Sequence, residues 1–238
     1  MRRGRSPVGT VRDWDCPVCR GHEAIECWPV AASGSEGGVD AASFRPSSET
    51  FGTPLATVVE CMACGHRSVS SFPDPNAVEA AYADAADPVS VREEKGQVAT
   101  ASRDLESIER WVARGTMVDL GCWTGSFCVA SSQRGWRAVG VEPSKWGSER
   151  ARQRGASVIQ AGLDEADLPP GQFDLVVLCD VLEHLADPGA ALRRIRQLLR
   201  PGGVLFLTVP DAGSVLARVL GRRWWSVLPM HLQYFTRE

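Results

Sequence analysis

The stretch "VDLGCWTGSF" at residues 118–127 decides the fold class of this chain. An apolar strand pattern runs into two glycines, Gly121 and Gly125, and a helical pattern follows at once. Downstream, the apolar runs "AVGV", "LVVL" and "VLFLTV" alternate with amphipathic helical segments. Continuous apolar strands between such helices are typical of a parallel sheet that is covered on both faces. We therefore predict an α/β fold, a Rossmann-like doubly wound parallel sheet.

The glycine turn also indicates the kind of ligand that the sheet binds. A dinucleotide fingerprint that starts at Gly121 needs glycine at positions 123 and 126, where this chain has Trp123 and Ser126. No lysine follows Gly125, so a phosphate-cradling loop is excluded as well. S-adenosylmethionine has no phosphates, and Glu142 at the end of the next strand is placed to meet its ribose hydroxyls. The sequence therefore predicts S-adenosylmethionine as the cofactor.

Four of the eight cysteines form two CxxC pairs, "CPVC" and "CMAC". Each pair can direct two thiolates at one ion, and two pairs complete a tetrahedral zinc site that leaves no position for water. Such a site is structural rather than catalytic. The Gly/Ser-rich stretch "AASGSEGG" between the pairs is typical of a loop insertion. The predicted zinc ligands are Cys16, Cys19, Cys61 and Cys64.

Two alternatives to this zinc site remain open at this point. The four cysteines could be unconnected reduced thiols. Cys27, His22 or His66 could also replace one of the four cysteines as a ligand, because each lies close to a pair in sequence.

Composition narrows the class of protein further. A chain of 238 residues with 44% apolar residues can bury one sizeable core and a small second module. The net charge is −3 with no basic stripe, so we expect no nucleic-acid partner. The apolar runs are far shorter than the about 20 residues that span a bilayer, and the N-terminus lacks an apolar signal core. We expect a cytoplasmic protein with no membrane partner, and the sequence leaves its oligomeric state open.

Several motifs together resemble one known family. The stretches "MVDLGCWTGSF", "AVGVEPS", "FDLVVLCDVLEHLADP", "LLRPGGVLFLTVP" and "PMHLQYFTRE" are similar to the class I S-adenosylmethionine-dependent methyltransferases whose Rossmann-like domain follows an N-terminal CxxC…CxxC zinc ribbon. The resemblance covers nearly the whole chain. We expect a zinc-ribbon module at 12–74, a helical connector at 75–114 and the methyltransferase domain at 115–238.

The resemblance also implies roles for individual residues. Asp119, Gly121 and Gly125 would form the cofactor turn. Glu142 would bind the ribose, and Leu163 would lie beside the adenine. The full set of expected cofactor contacts is Asp119, Gly121, Cys122, Gly125, Glu142, Pro143, Leu163 and Cys179. Cys179 and Asp180, at the end of the fourth strand, would line the methyl-transfer cleft.

The residues expected to act in catalysis are His184, Asp180 and His231. His184 is the best candidate for a base, because it lies just past the fourth strand, at the edge where doubly wound sheets bind their ligands. Alternatively, Glu183 and His184 only fix their loop by hydrogen bonding. A third option is that Asp180, Glu183 and His184 resemble the Glu-x-x-Glu-His arrangement that ubiquinone-biosynthesis O-methyltransferases use with a divalent ion. His231 could reach an acceptor or simply pack within its aromatic segment.

The predicted activity is methyl transfer to a small-molecule acceptor such as a sugar, a polyketide or another biosynthetic intermediate. The rival hypotheses are a catalytically inactive cofactor-binding protein and a zinc-ribbon scaffold module. Only five strands are predicted for the parallel sheet, whereas the family that the chain resembles has seven, so we also expect a truncated chain. Its strand "VLFLTV" would then be an exposed edge, "WWSVLPMHL" would lie over the cofactor cleft, and solubility and activity would be low.

Overall fold

The computed structural model describes residues 10–11, 14–30, 41 and 51–237. Five parallel strands form one sheet in the order β7-β6-β5-β8-β9. Their bounds are β5 Thr116–Leu120, β6 Arg137–Val141, β7 Val158–Ile159, β8 Phe173–Cys179 and β9 Leu199–Thr208. The chain order reverses between β5 and β8, which places the switch point of the sheet at the carboxyl end of the strand before the glycine turn. The predicted Rossmann-like fold is confirmed.

Alternating side chains of the central strands are buried on both faces of this sheet. On one face, Val118 of β5 belongs to an apolar cluster with Ile195 and Leu198. On the other face, the neighbouring Met117 belongs to a cluster with Leu105 and Phe127. Because burial on both faces leaves no polar side of the strand, the apolar residues run continuously rather than alternating.

Helices cover the two faces of the sheet and precede it in the chain. Their bounds are α1 Pro75–Ala83, α2 Glu94–Ile108, α3 Ser126–Gln133, α4 Lys145–Gln153, α5 Pro188–Leu198 and α6 Val215–Leu220, with short 3-10 helices at Pro88–Glu93, Leu182–His184 and Gly221–Arg223. Helix α2, within the expected connector, buries Ala101, Leu105 and Ile108 in the same cluster as the sheet. It is therefore part of the core of the Rossmann-like unit.

Three helical segments start at an Asp-Pro dipeptide, and each start has the same physical cause. The carboxylates of Asp74, Asp87 and Asp187 accept hydrogen bonds from backbone N–H groups of the first turn. Proline at the next position has no N–H to leave unsatisfied, and its fixed φ suits the first helical residue. The sequence thus determines where these segments begin.

A second, antiparallel sheet contains the cysteine pairs. Its order is β1-β2-β3-β4-β10, with β1 Thr10–Val11, β2 Ala24–Trp28, β3 Val58–Cys61, β4 Arg67–Val69 and β10 Gln233–Tyr234. The edge strand β10 comes from the far end of the chain and pairs Gln233 with Ser68 and Tyr234 with Arg67. The sequence predicted only helical and loop structure after residue 210. The two residues of β10 are too few to show strand periodicity, so only tertiary contact reveals them.

Strand β9 pairs only with β8 among the described residues, so it is an edge of the parallel sheet. Segment 224–232 contains no strand.

Across the described part of the chain, no helix is both long and apolar enough to cross a membrane. The expected low solubility stays a prediction.

Candidate functional site

The four paired cysteines meet at one point of the small sheet. The Sγ atoms of Cys16 and Cys64 are 3.7 Å apart, and those of Cys19 and Cys61 are 3.6 Å apart. All four sulfur atoms lie within 4.8 Å of one another. A tetrahedral zinc ion with Zn–S bonds of about 2.3 Å holds its sulfurs roughly 3.8 Å apart. The spacing of the four thiols therefore fits a zinc ion.

The two turns that carry the thiols have the same backbone geometry. In each, the residue after the second cysteine adopts positive φ, +62° at Arg20 and +76° at Gly65. The N–H of that residue donates to the carbonyl of the first cysteine, at 2.9 Å in both turns. Two equivalent turns present their thiolates to a common centre, as a paired zinc knuckle requires.

The alternative zinc ligands lie outside this cluster. His22 contacts Asp15 through its Nδ1 atom at 2.6 Å. The Cys27 thiol donates to Glu60 at 3.8 Å. His66 contacts Gln233 through its Nε2 atom at 2.8 Å. None of the three shares the four-cysteine centre.

The glycine turn after β5 requires two of its residues to lack a side chain. Gly121 and Gly125 both have φ of +75°, and Gly125 is the N-cap of α3. A Cβ atom on Gly121 would clash with the side chain of Val181, and one on Gly125 would clash with Ala151. These two positions are therefore closed to any larger residue.

Trp123 occupies the middle of this turn with φ of +47°. Its indole Nε1 donates to the Ser90 hydroxyl at 3.3 Å, and its ring packs against Trp146 with centroids 5.3 Å apart. Its backbone N–H donates to Glu142 at 2.8 Å. The side chain is thus directed at the helical segment before the sheet, while the backbone faces the carboxylate.

Three carboxyl groups are buried around one large cavity at the carboxyl ends of the strands. Asp119 and Glu142 are each 3% exposed and Glu183 is 1% exposed. Burial raises the pKa of Asp119 and of Glu142 to about 7, and that of Glu183 to about 8. The only arginine or lysine among the described residues that line the cavity is Arg92. This excess of buried acid favours a cationic ligand.

A cluster of Tyr82, Glu183, His184 and His231 forms one wall of this cavity. The Tyr82 hydroxyl is 2.6 Å from Nδ1 of His184, and Nε2 of His184 is 4.0 Å from the Glu183 carboxylate. The rings of His184 and His231 are in edge contact at 4.9 Å. Both Glu183 oxygens are buried, and neither has a hydrogen-bond partner among the residues that the structure describes. The wall therefore holds an uncompensated acid beside two imidazoles.

The tautomer of His231 follows from its partner. Its Nδ1 lies 2.7 Å from the carbonyl oxygen of Ser226, which can only accept, so Nδ1 carries the proton. In the neutral ring the lone pair is then on Nε2. Burial lowers the pKa of His231 to about 4 and that of His184 well below its ordinary value. Both imidazoles are therefore neutral near pH 7.

The Asp180 carboxylate lies outside the group of ligand atoms that Glu183, His184 and His231 form. Asp180 is exposed, has φ of +53°, and accepts a hydrogen bond from Thr208 at 3.4 Å. The group whose ligand atoms lie within 4.8 Å of one another is Glu183, His184 and His231. Among the described residues, the group of possible ligand atoms thus contains Glu183 and His184 but not Asp180, and the divalent-ion option stays a prediction.

A family model described as a methyltransferase domain matches residues 90–238, more than half of the chain. The chain belongs to this methyltransferase-domain family. The predicted enzyme class is thereby confirmed. The match includes helix α2, the glycine turn and three residues of the wall, Glu183, His184 and His231, but not Tyr82.

Curated relatives of this methyltransferase domain include two ubiquinone biosynthesis O-methyltransferases. The one from Pseudomonas paraeruginosa is 33% identical over 104 residues, which are 41% of this chain and 45% of the relative. The one from Bradyrhizobium sp. is 34% identical over 98 residues, 39% of this chain and 38% of the relative. The chain spans less than half of the length of these relatives.

A solved structure of a SAM-dependent methyltransferase from Archaeoglobus fulgidus is similar in fold. It shares 18% sequence identity with this methyltransferase domain at a TM-score of 0.53. The similarity covers 63% of this chain and 69% of that chain.

The structure brings most of the predicted site residues of the methyltransferase domain to one cavity of about 1590 Å³. The predicted residues that line it are Asp119, Gly121, Cys122, Glu142, Pro143, Leu163, Cys179, Asp180, His184 and His231. Gly125 lies in the turn but not on the cavity surface, and the four paired cysteines lie elsewhere. Segment 224–232 also contributes to the cavity wall.

Sequence reasoning missed three residues of this methyltransferase site. Tyr82 and Arg92 line the cavity from the helical segment before the sheet, where no motif distinguished them. Glu183 was considered as a partner of His184 and as part of a divalent-ion arrangement, but not as a base. Its adjacency to His184 was the available signal, but only the structure shows that its oxygens are buried with no hydrogen-bond partner among the described residues.

Proposed function

We propose that this methyltransferase domain binds S-adenosylmethionine at the glycine turn and transfers its methyl group to a small-molecule hydroxyl in the same cavity. The observation that carries the proposal is the cavity itself, which is lined both by the turn with the buried carboxyls of Asp119 and Glu142 and by the wall that contains Glu183, His184 and His231. A cofactor with a sulfonium and an ammonium group supplies the positive charge that this acid-rich site lacks. The names of the curated relatives support an oxygen acceptor.

The cofactor would be held by residues at the ends of β5 and β6. Glu142 fixes the turn by accepting N–H groups of Trp123 and Ser144, both at 2.8 Å, and its remaining lone pairs can accept from ribose hydroxyls. Leu163 offers an apolar contact for the adenine. Arg92, as the one guanidinium on the cavity surface, is placed to pair with the cofactor carboxylate.

S-adenosylmethionine supplies an already activated methyl group, so the protein must align the acceptor and remove one proton. The acceptor oxygen forms a bond to the methyl carbon while the carbon–sulfur bond breaks, and the acceptor proton passes to a base. We place this base at Glu183, because burial brings its pKa to about 8, close to the working range of a general base. His184, which contacts the Tyr82 hydroxyl, lies beside it with Nε2 at 4.0 Å from the carboxylate.

The four-cysteine centre would hold one structural zinc ion. Its geometry provides four thiols at zinc spacing and no fifth ligand, so it has no open position for chemistry. The domain division at 12–74, 75–114 and 115–238 remains our proposal, although α2 shares the core of the sheet and β10 belongs to the ribbon sheet.

Titration calorimetry and a methyl-transfer assay would test the proposed function. We expect micromolar binding of S-adenosylmethionine and formation of S-adenosylhomocysteine with members of a panel of phenols and sugars. Binding without turnover would favour an inactive cofactor-binding protein. Absence of binding would favour a scaffold module.

The variant Glu142→Ala tests the cofactor assignment. Loss of a hydrogen bond to a charged group should weaken S-adenosylmethionine binding by about 1.5–3 kcal/mol. Glu149→Ala, which removes an exposed acid of the following helix, is the matched control and should bind like the wild type. Unchanged affinity in Glu142→Ala would exclude Glu142 as a cofactor ligand.

A further inference from the structure

Strand β10 of the ribbon sheet follows the wall residue His231 closely in the chain. Gln233 and Tyr234 extend the ribbon sheet by pairing with β4, which follows the second cysteine pair directly. His231 of the wall lies only two residues before this strand. A short covalent path therefore connects the ribbon sheet to the acceptor side of the cavity.

The side chain of Gln233 forms a second, noncovalent connection. It is 1% exposed and bridges two parts of the molecule. His66, two residues after the last cysteine, donates from Nε2 to the Gln233 amide oxygen at 2.8 Å. The Gln233 amide nitrogen donates to the carbonyl oxygens of Leu185 and Ala186, at 3.0 and 3.3 Å. All of these bonds connect residues that are far apart in sequence.

Backbone hydrogen bonds run parallel to this bridge. The N–H of Leu232 donates to the Glu183 carbonyl at 2.8 Å, and the N–H of Val69 donates to the Leu232 carbonyl at 3.0 Å. These two hydrogen bonds thus connect strand β4 of the ribbon sheet, through Leu232, to the turn that contains Glu183. By contrast, no hydrogen bond described in the structure joins the ribbon to the glycine turn at 121–125.

We propose that Gln233 is a positioning residue through which the cysteine ribbon holds the Glu183–His184 turn and His231 in place. A metal ion bound by the four thiols would fix the position of the turn that leads to His66. The hydrogen bonds of Gln233 would then fix the carbonyls of Leu185 and Ala186 relative to that turn. The ribbon sheet would therefore affect the acceptor side of the cavity, near Glu183, His184 and His231. It would not affect the cofactor side, at the glycine turn. The catalytic meaning of this role rests on the proposed function, whereas the physical coupling does not.

Hydrogen exchange measured by mass spectrometry on the full chain tests the coupling without any acceptor. In Gln233→Met, which keeps the length of the side chain but removes its amide, we expect roughly fivefold to tenfold faster exchange in peptides covering 182–187 and 231–234. Exchange at 117–125 should stay unchanged. Zinc content should also stay at the wild-type level, which shows that the ribbon is intact.

A second variant and a control distinguish loss of the bridge from a local disturbance at position 233. His66→Leu removes the ribbon end of the bridge and should accelerate exchange in the same peptides. Gln197→Leu alters an exposed glutamine of α5 and should have no effect. Unchanged exchange at 182–187 in both Gln233→Met and His66→Leu would overturn the proposal.

Activity measurements separate this inference from the proposed function. If the wild type transfers methyl groups, Gln233→Met should lower kcat and displace the apparent pKa of its pH profile, with binding of S-adenosylmethionine within about twofold of the wild type. A variant with faster exchange at 182–187 but the wild-type kcat and pH profile would refute the positioning role. A wild type without methyl transfer refutes the proposed function and leaves the exchange experiment decisive for the coupling.

Discussion

At the scale of single residues, Trp123 shows how a glycine turn can contain a bulky side chain. The left-handed conformation costs a non-glycine residue about 1–2 kcal/mol. Contacts of the indole with Ser90 and Trp146 offset this cost. The turn therefore keeps its backbone geometry without the glycine that a dinucleotide fingerprint has at this position.

Replacement of Trp123 by glycine separates packing from ligand binding. We expect Trp123→Gly to lower the free energy of unfolding by about 1–3 kcal/mol, because the indole contacts are lost. Binding of S-adenosylmethionine should stay within about threefold of the wild type. Trp111→Gly is the comparison, since Trp111 is 81% exposed and its loss should be nearly neutral. A large loss of affinity in Trp123→Gly would mean that the indole itself contacts the ligand.

Glu183 carries the pH dependence that we expect of the reaction. Because burial raises its pKa to about 8, kcat should increase as the pH rises through that value and the carboxylate forms. Glu183→Gln cannot accept the proton and should lower kcat by roughly 10²–10⁴-fold. Glu79→Gln, an exposed acid on the same cavity, provides the control. If Glu183→Gln retained both the rate and the pH profile, another residue of the wall would be the base.

At the scale of elements, the apolar cluster that contains the cysteines is small. Among the described residues it buries Trp14, Ala24 and Val59 besides Cys16 and Cys61, while Trp28 and Val58 of the same sheet belong to a separate cluster. Metal binding contributes folding free energy directly in such small units. Strand β10 adds a further edge pairing from the far end of the chain.

Metal analysis of purified protein should therefore find one zinc ion per chain. We expect Cys61→Ser to lose the zinc and to unfold the ribbon sheet at a lower temperature than the wild type. Cys27→Ser is the matched control, because its thiol lies outside the four-sulfur centre, and it should retain the zinc. Far less than one zinc per wild-type chain would refute the site.

At the scale of the whole molecule, the buried acids make the stability of the ligand-free protein depend on pH. Asp119, Glu142 and Glu183 all have folded-state pKa values above their ordinary ones. The folded state therefore binds more protons than the unfolded state, and the stability that these groups provide at low pH is lost as the pH rises through the folded values. Below about pH 6.5 the buried histidines act in the opposite sense, because their pKa values are lowered.

The effect of these three carboxyl groups on stability is best measured between about pH 6.5 and 8.5, above the range in which the histidines oppose it. There we expect the free energy of unfolding of the zinc-loaded, ligand-free protein to fall by roughly 2–4 kcal/mol. Glu183→Gln should remove the largest part of this decrease. Saturating S-adenosylmethionine should stabilise the protein more at pH 8.5 than at 6.5, because its positive charges favour the ionised acids. Denaturant unfolding at the two pH values measures all three effects, and a flat pH dependence would contradict them.

The sequence by itself determined the features that arise from neighbouring residues. The two CxxC pairs, the glycine turn, Glu142 at the end of the next strand and the continuous apolar strands are local patterns, and the fold class follows from them. Tertiary structure alone decided which distant groups meet. Tyr82 reaches His184 across 102 positions and His66 reaches Gln233 across 167 positions, and a two-residue strand has no period to detect. Burial likewise decided that the pKa of Glu183 is raised, because desolvation depends on every element packed around a group and not on the residues beside it in the chain.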